Sequence, residues 1–202
     1  MVGDSGVRVN GKDIYRHLKG IDDVSAAARV EVFKLLVNRG RDEDETELAA
    51  RRAIFQGFDT CVAEAVLSEK DAVKILESVA SSQSAIAPFD VVNKFIRAGI
   101  KSQSGYGNDD THPLGFSVLN GVAPSLNDVI DVEIELGSVS TLEVFSDGYF
   151  DLPSGVTIEA WEQKFDEIEH ADARKLDEYP NVKGSTSTEF SDDRSIIVVT
   201  QI

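Results

Sequence analysis

The chain has 202 residues, 42% of them hydrophobic, which suits one domain with a real core. Asp and Glu total 36 against 20 Lys and Arg, giving a formal net charge of -16. A surface of that sign repels nucleic-acid phosphates and anionic lipid, so neither a polynucleotide nor a membrane is an expected partner. No apolar run approaches a membrane span, no secretory leader is visible, and the lone Cys61 has no internal disulfide partner; a reducing cytoplasm is the expected location. The acidic excess has two readings: simple solubility, or carboxylates gathered for hard divalent cations, which prefer oxygen ligands.

The chain opens with Val2, Val7 and Val9 ahead of Asn10-Gly11, with Ile14, Tyr15 and Leu18 following. Apolar residues around Asn-Gly predict a hairpin, because a type I′ turn needs positive φ at both central positions. A chain that begins this close to a strand reads as part of something longer. From about residue 22 to 102 the period becomes helical. Val30, Phe33, Leu36 and Val37 share a face that Gly40 can close. The acidic run at 41–45 leads into a helix carrying Leu48, Ile54, Phe55, Phe58 and Val62. Ser68 with Asp71 predicts a cap before Val73, Ile75, Leu76 and Val79, and Phe89, Val92, Phe95 and Ile96 predict a further helix. Helices placed here either cover a sheet or form a substrate-facing flap, and their broad apolar faces favour cover.

Beyond the turn-rich stretch 101–113 the period returns to two. Asn120-Gly121 predicts a second hairpin, 130–136 and 140–146 predict strands, Trp161 and Phe165 mark a helix, and 194–199 predicts a closing strand. Alternating βαβ units are absent, so an α+β domain with antiparallel sheet is expected: 1–21 hairpin, 22–102 helices, 103–202 sheet. The polar segment 184–193 is expected to be a mobile loop.

Two acidic motifs end strands. Asp147 follows Leu142, Val144 and Phe145 and precedes Gly148; a carboxylate fixed there can hold a hard metal ion, while the glycine lets other backbone come close. Taken alone, Ser-Asp-Gly is more often an ordinary turn. Asp192 and Asp193 stand before the last strand and either ligate a metal or blunt a strand end. His17, His112 and His170 show no zinc-site spacing, and Cys61 reads as core.

In order along the chain, VGDSGVRVNG at 2–11, GFSVLNG at 115–121, VFSDGYFDL at 144–152 and SDDRSIIVV at 191–199 resemble motifs of the type-2C, metal-dependent protein Ser/Thr phosphatases (the PPM superfamily), in a bacterial branch. Lys183-Gly184 suits that branch too. The resemblance implies a four-layer α-β-β-α sandwich of two antiparallel sheets flanked by helices, with a binuclear Mn or Mg centre and a phosphoserine or phosphothreonine protein as substrate. Carried over by position, Asp147 and Asp192 are the implied metal ligands. Asp193 and Gly148 are implied supporting residues, and Asp4 a structural acid beside the site. Gly6 stands where the superfamily has Arg. Its remaining acids and its phosphate-gripping arginine lie ahead of the GDS strand, so the domain is expected to be incomplete at its N-terminus. Unpaired strand edges and self-association would follow. The alternative is a non-catalytic, phosphatase-derived binding or regulatory module.

Overall fold

A computed structural model describes residues 1–124 and 129–200. Asn10 and Gly11 turn the chain first, with φ of 53° and 67° and a bond from Lys12 N to Val9 O (3.0 Å), as the dipeptide requires. The turn joins β1 (Gly6–Val9) to β2 (Asp13–Arg16); Lys12 is an extra residue, so that Val9 faces Asp13. Asn10 Oδ1 accepts from Ser140 N at 2.7 Å and its Nδ2 donates to Ser138 O at 2.9 Å, tying the turn to the start of β3 (Thr141–Phe145). With β4 (Ile196–Thr200) these form one antiparallel sheet in the order β2-β1-β3-β4.

Among the described residues five α-helices separate β2 from β3: α1 (Gly20–Val37), α2 (Glu43–Gln56), α3 (Phe58–Ala63), α4 (Glu69–Ser82) and α5 (Phe89–Ala98). They do not cover the sheet, contrary to the sequence expectation. Their apolar faces turn toward one another and bury Val24, Phe33, Ile54, Phe58, Leu76 and Phe95 in a core of their own, with Cys61 among them. Five helices can satisfy each other's stripes without a sheet. The sheet is covered instead by α6 (Ile158–Asp172), whose Trp161 and Phe165 pack with Phe145 and Tyr149.

The sequence expected one cap correctly. Ser68 Oγ accepts from Asp71 N at 3.1 Å and Asp71 Oδ2 accepts from Ser68 N at 3.2 Å, while Arg39 donates to the same carboxylate at 2.8 Å. The Ser68 bond and Arg39 bring the Asp71 carboxyl down from 3.8 to about 2. Ser68→Ala should cost about 1 kcal/mol in urea unfolding. Because the folded value is depressed, the contribution of Asp71 is present at neutral pH and fades as pH falls from about 4 toward 2.

Two expected elements are absent among the described residues. The stretch 130–136 forms no strand: only Met1 exchanges backbone bonds with Ile130, and Val132, Ile134 and Leu136 stay exposed. Alternation supplies a face, but a strand needs a ladder partner. Asn120-Gly121 turns no hairpin either. Asn108, at φ 60°, gathers that loop by donating to Val118 O and Val122 O and accepting from Val118 N.

The covered face of the sheet carries a buried ion pair. Arg8 and Glu143, cross-strand partners, are 2% and 0% exposed. Arg8 Nε donates to Glu143 Oε2 at 2.6 Å, Trp161 Nε1 donates to Glu143 Oε1 at 2.7 Å, and Arg8 also holds the carbonyls of Pro153 and Gly155. The pair fastens the segment after β3 against the sheet. Gly6 explains its own identity: a Cβ there would lie 2.2 Å from the Phe145 ring.

Candidate functional site

Antiparallel order brings four chain segments to one end of the sheet. Asp4 precedes β1, Arg16 ends β2, Asp147 follows β3, and Asp192 precedes β4; Gly6 pairs with both Arg16 and Phe145, and Phe145 with Ile196. The first turn of α1 adds Asp22. A cavity of about 480 Å³ at this end is lined by Asp4, Arg16, Lys19, Asp22, Asp147 and Asp192, with Phe150 and the segment 178–182 as further wall. The two acidic strand ends therefore meet, together with a third acid, Asp22, that lies outside the sequence motifs.

Local bonds fix both ends. Ser146 N donates to Ser195 O at 3.0 Å and Ser195 N donates to Ser146 Oγ at 2.9 Å, lacing the SDG segment to the SDDRS segment. Gly148 is needed where it stands: a Cβ would fall 2.3 Å from Asp193 O. Downstream of Asp192, Arg194 stacks 3.7 Å above the Phe165 ring and pairs with Glu162 at 2.6 Å. The Tyr149 hydroxyl donates to Glu162; burial and that carboxylate push it up to about 12, so it stays a donor.

The far wall is held from the helical core. Arg29 and Glu47, both 0% exposed, form an ion pair between α1 and α2. Arg29 also donates to the carbonyls of Arg174, Lys175 and Asn181, and Glu47 accepts from Gly184 N at 2.7 Å. Asp172 accepts from the amides of Leu176, Asp177 and Tyr179. Together these set the 178–182 segment beside the acids. Much of the 184–193 segment expected to be mobile is bonded as well, through Gly184, through Ser187 to Asp44 and through Glu189 to Arg51.

The cavity concentrates negative charge. Burial, then the charges of Asp4, Asp147 and Asp23, outweigh Lys19 and raise Asp22 from 3.8 to about 6. Asp147 is open to solvent through the cavity mouth, yet the surrounding walls, then Asp4 and Asp192, raise its carboxyl above the ordinary value. Asp4 goes the other way: its partial burial is outweighed by the Lys19 ammonium that bonds it, as fits a structural acid. Asp193 is exposed beyond the cavity lining, its amide bonded to Asp192 Oδ1 at 2.9 Å. Lys183 Nζ lies 3.6 Å from Asp192.

An all-oxygen donor set of Asp22, Asp147 and Asp192 fits the chemistry of a hard divalent ion such as Mn or Mg. Their present side-chain positions do not close around one: among the described residues no group of three or more His, Cys, Asp or Glu is arranged to hold a metal. Nor is any helix among them long and apolar enough to cross a membrane. Compared with protein-family models, curated proteins and solved structures, the chain matches none.

Proposed function

We propose that this chain is a metal-dependent, type-2C phosphatase-like domain that hydrolyses phosphoserine or phosphothreonine esters on a protein substrate. Support comes from the convergence of Asp147, Asp192 and Asp22 on one cavity, from motifs 45 residues apart that sequence similarity alone singled out for two of the three. Asp147 and Asp192 would hold a Mn or Mg ion, with Asp22 turning in as a third ligand. When bound, the ion supplies Lewis-acid polarisation of a phosphoryl oxygen and lowers the pKa of the attacking water. Gly148 keeps the two strand ends close, Lys19 occupies Asp4, and Phe150 and Pro180 wall the cavity on its apolar side. A second ion would draw on carboxylates beyond these three. In the full reading a second antiparallel sheet packs on the open sheet face of Val7, Leu142, Val144 and Ile197, completing the four-layer sandwich. The outer edges of β2 and β4 would then serve self-association in a cytoplasmic protein.

One observation favours a non-catalytic module instead: Lys19 and Lys183 already lie against Asp4 and Asp192 and meet part of the cavity's charge internally. Such a module would use its acidic surface to dock a basic protein. Calorimetric titration with Mn separates the two. We expect saturable binding by the wild-type chain, lost in Asp192→Asn, with Mn-dependent hydrolysis of an aryl phosphate. A wild-type chain that binds neither Mn nor Mg and hydrolyses nothing overturns the phosphatase reading and leaves the module.

A further inference from the structure

We propose that β4 is a self-complementary edge, and that two copies of the chain join β4 to β4, antiparallel about a two-fold axis, into one continuous sheet. This takes up the self-association proposed above and chooses its edge; it draws nothing from the phosphatase chemistry. The two edges of the sheet are built differently. β2, on one side, has four residues with Asp13 and Arg16 at its ends and the extra Lys12 beside it. Charge, shortness and an inserted residue are devices that keep a strand edge from pairing. β4, on the other side, has no such device. Ile196–Thr200 carries no charge, proline or glycine, in a chain that is 28% charged. Ile197 and Val199 are 61% and 41% exposed.

The ladder bonds show which backbone groups of β4 face outward. Asn10 N donates to Thr141 O, and Ser146 N donates to Ser195 O. By the alternation of an antiparallel ladder, β3 turns the polar groups of Leu142, Val144 and Ser146 toward β4, where they meet Val199, Ile197 and Ser195. Ile196, Val198 and Thr200 therefore point their N–H and C=O groups away from the sheet, and no described group bonds them.

A second copy satisfies them all. With the axis at Val198, Ile196 of one copy faces Thr200 of the other, Ile197 faces Val199, and Val198 faces its own counterpart. Every outward N–H then meets an outward C=O. Each pair across the join is β-branched, and none sets like charges opposite. The other extended stretch without a ladder, 130–136, fails this test, because self-pairing would set Asp131, Glu133 and Glu135 against one another. A net charge of -16 makes copies repel over most of their surface, so an uncharged strand is where they can meet. Asp192 precedes β4, so an antiparallel join holds the two cavities at opposite ends and leaves both open.

The test is sedimentation velocity on the full chain from about 1 μM to about 1 mM, with amide exchange on the same samples. A dimer should form as concentration rises, and exchange at Ile196, Val198 and Thr200 should slow roughly 10-fold or more. Ile197 and Val199, already bonded to β3, should not change. Val198→Pro removes one outward N–H and spares the β3 ladder; it should weaken the dimer roughly 10-fold or more. Ile14→Pro takes an outward N–H from the β2 edge in the same way and should leave the dimer intact. A chain that stays monomeric throughout overturns the join and self-association together. A dimer broken by Ile14→Pro and not by Val198→Pro removes the β4 join and keeps self-association. If a proline variant fails to fold, the wild-type exchange decides: a dimer in which Ile196, Val198 and Thr200 exchange as fast as in the monomer overturns the join.

Discussion

Asp147→Asn is expected to lower Mn-dependent hydrolysis of an aryl phosphate by roughly 100-fold or more while leaving the metal-free chain at least as stable as wild type. Both effects have one cause. Cavity walls and the charges of Asp4 and Asp192 oppose ionisation of Asp147, so its charge is costly without a cation and useful with one. An amide keeps the shape and removes the charge. Equal rates in wild type and Asp147→Asn would sink the catalytic reading. The pH dependence of the metal-free protein carries the same signature through Asp22. Its folded value, about 6, lies above the ordinary 3.8, so the folded state holds that proton more tightly than the unfolded state. Stability therefore falls as pH climbs from about 4 to about 6, by roughly 1–3 kcal/mol in all. In Asp22→Asn that part of the slope should vanish, as read by denaturant unfolding in chelator; an unaltered slope would contradict the acid cluster.

Glu47→Ala should destabilise the chain by about 3–5 kcal/mol in urea unfolding. Both partners of the Arg29–Glu47 pair are out of water, and removing the carboxylate strands the guanidinium with only carbonyls around it. The double variant Arg29→Met, Glu47→Leu should recover much of the loss, since two apolar side chains leave no unpaired charge. Glu47 also takes Gly184 N, and Arg29 takes the Asn181 carbonyl, so the single variant should release the 174–185 segment. Faster amide exchange there, ahead of global unfolding, would show it. A loss under about 1 kcal/mol would mean that the pair is not the fastening it looks to be in the structure.

Neither Arg29 nor Glu47 was legible as a functional position. Each sits in a helical pattern where a charged residue normally points to solvent, and their partners are 18 positions apart for the pair and well over 100 for the loop. The same holds in β3. Leu142 and Val144 alternate with Glu143, and alternation alone does not say which face is covered. Glu143 is fully buried beneath α6, because Arg8 and Trp161 supply its bonds, and Leu142 and Val144 take the opposite face. Period gives the spacing of a face. Which face is covered depends on what packs there.

By itself the sequence determined the features whose physics is local. Asn10-Gly11 turned because both residues accept positive φ, Ser68 and Asp71 capped a helix across three residues, and the helical stripes from Val24 to Ile96 formed helices. It also marked Asp147 and Asp192, since short motifs keep their spacing whatever surrounds them. Only the tertiary structure decided that the five helices form a separate core, that 130–136 lacks a ladder, and that Asp22 joins the two strand-end acids. These are outcomes of pairing between distant segments, and they turn on which surfaces meet. The antiparallel order β2-β1-β3-β4 is what places Asp4, Arg16, Asp147 and Asp192 at one end, where each charge acquires its neighbours.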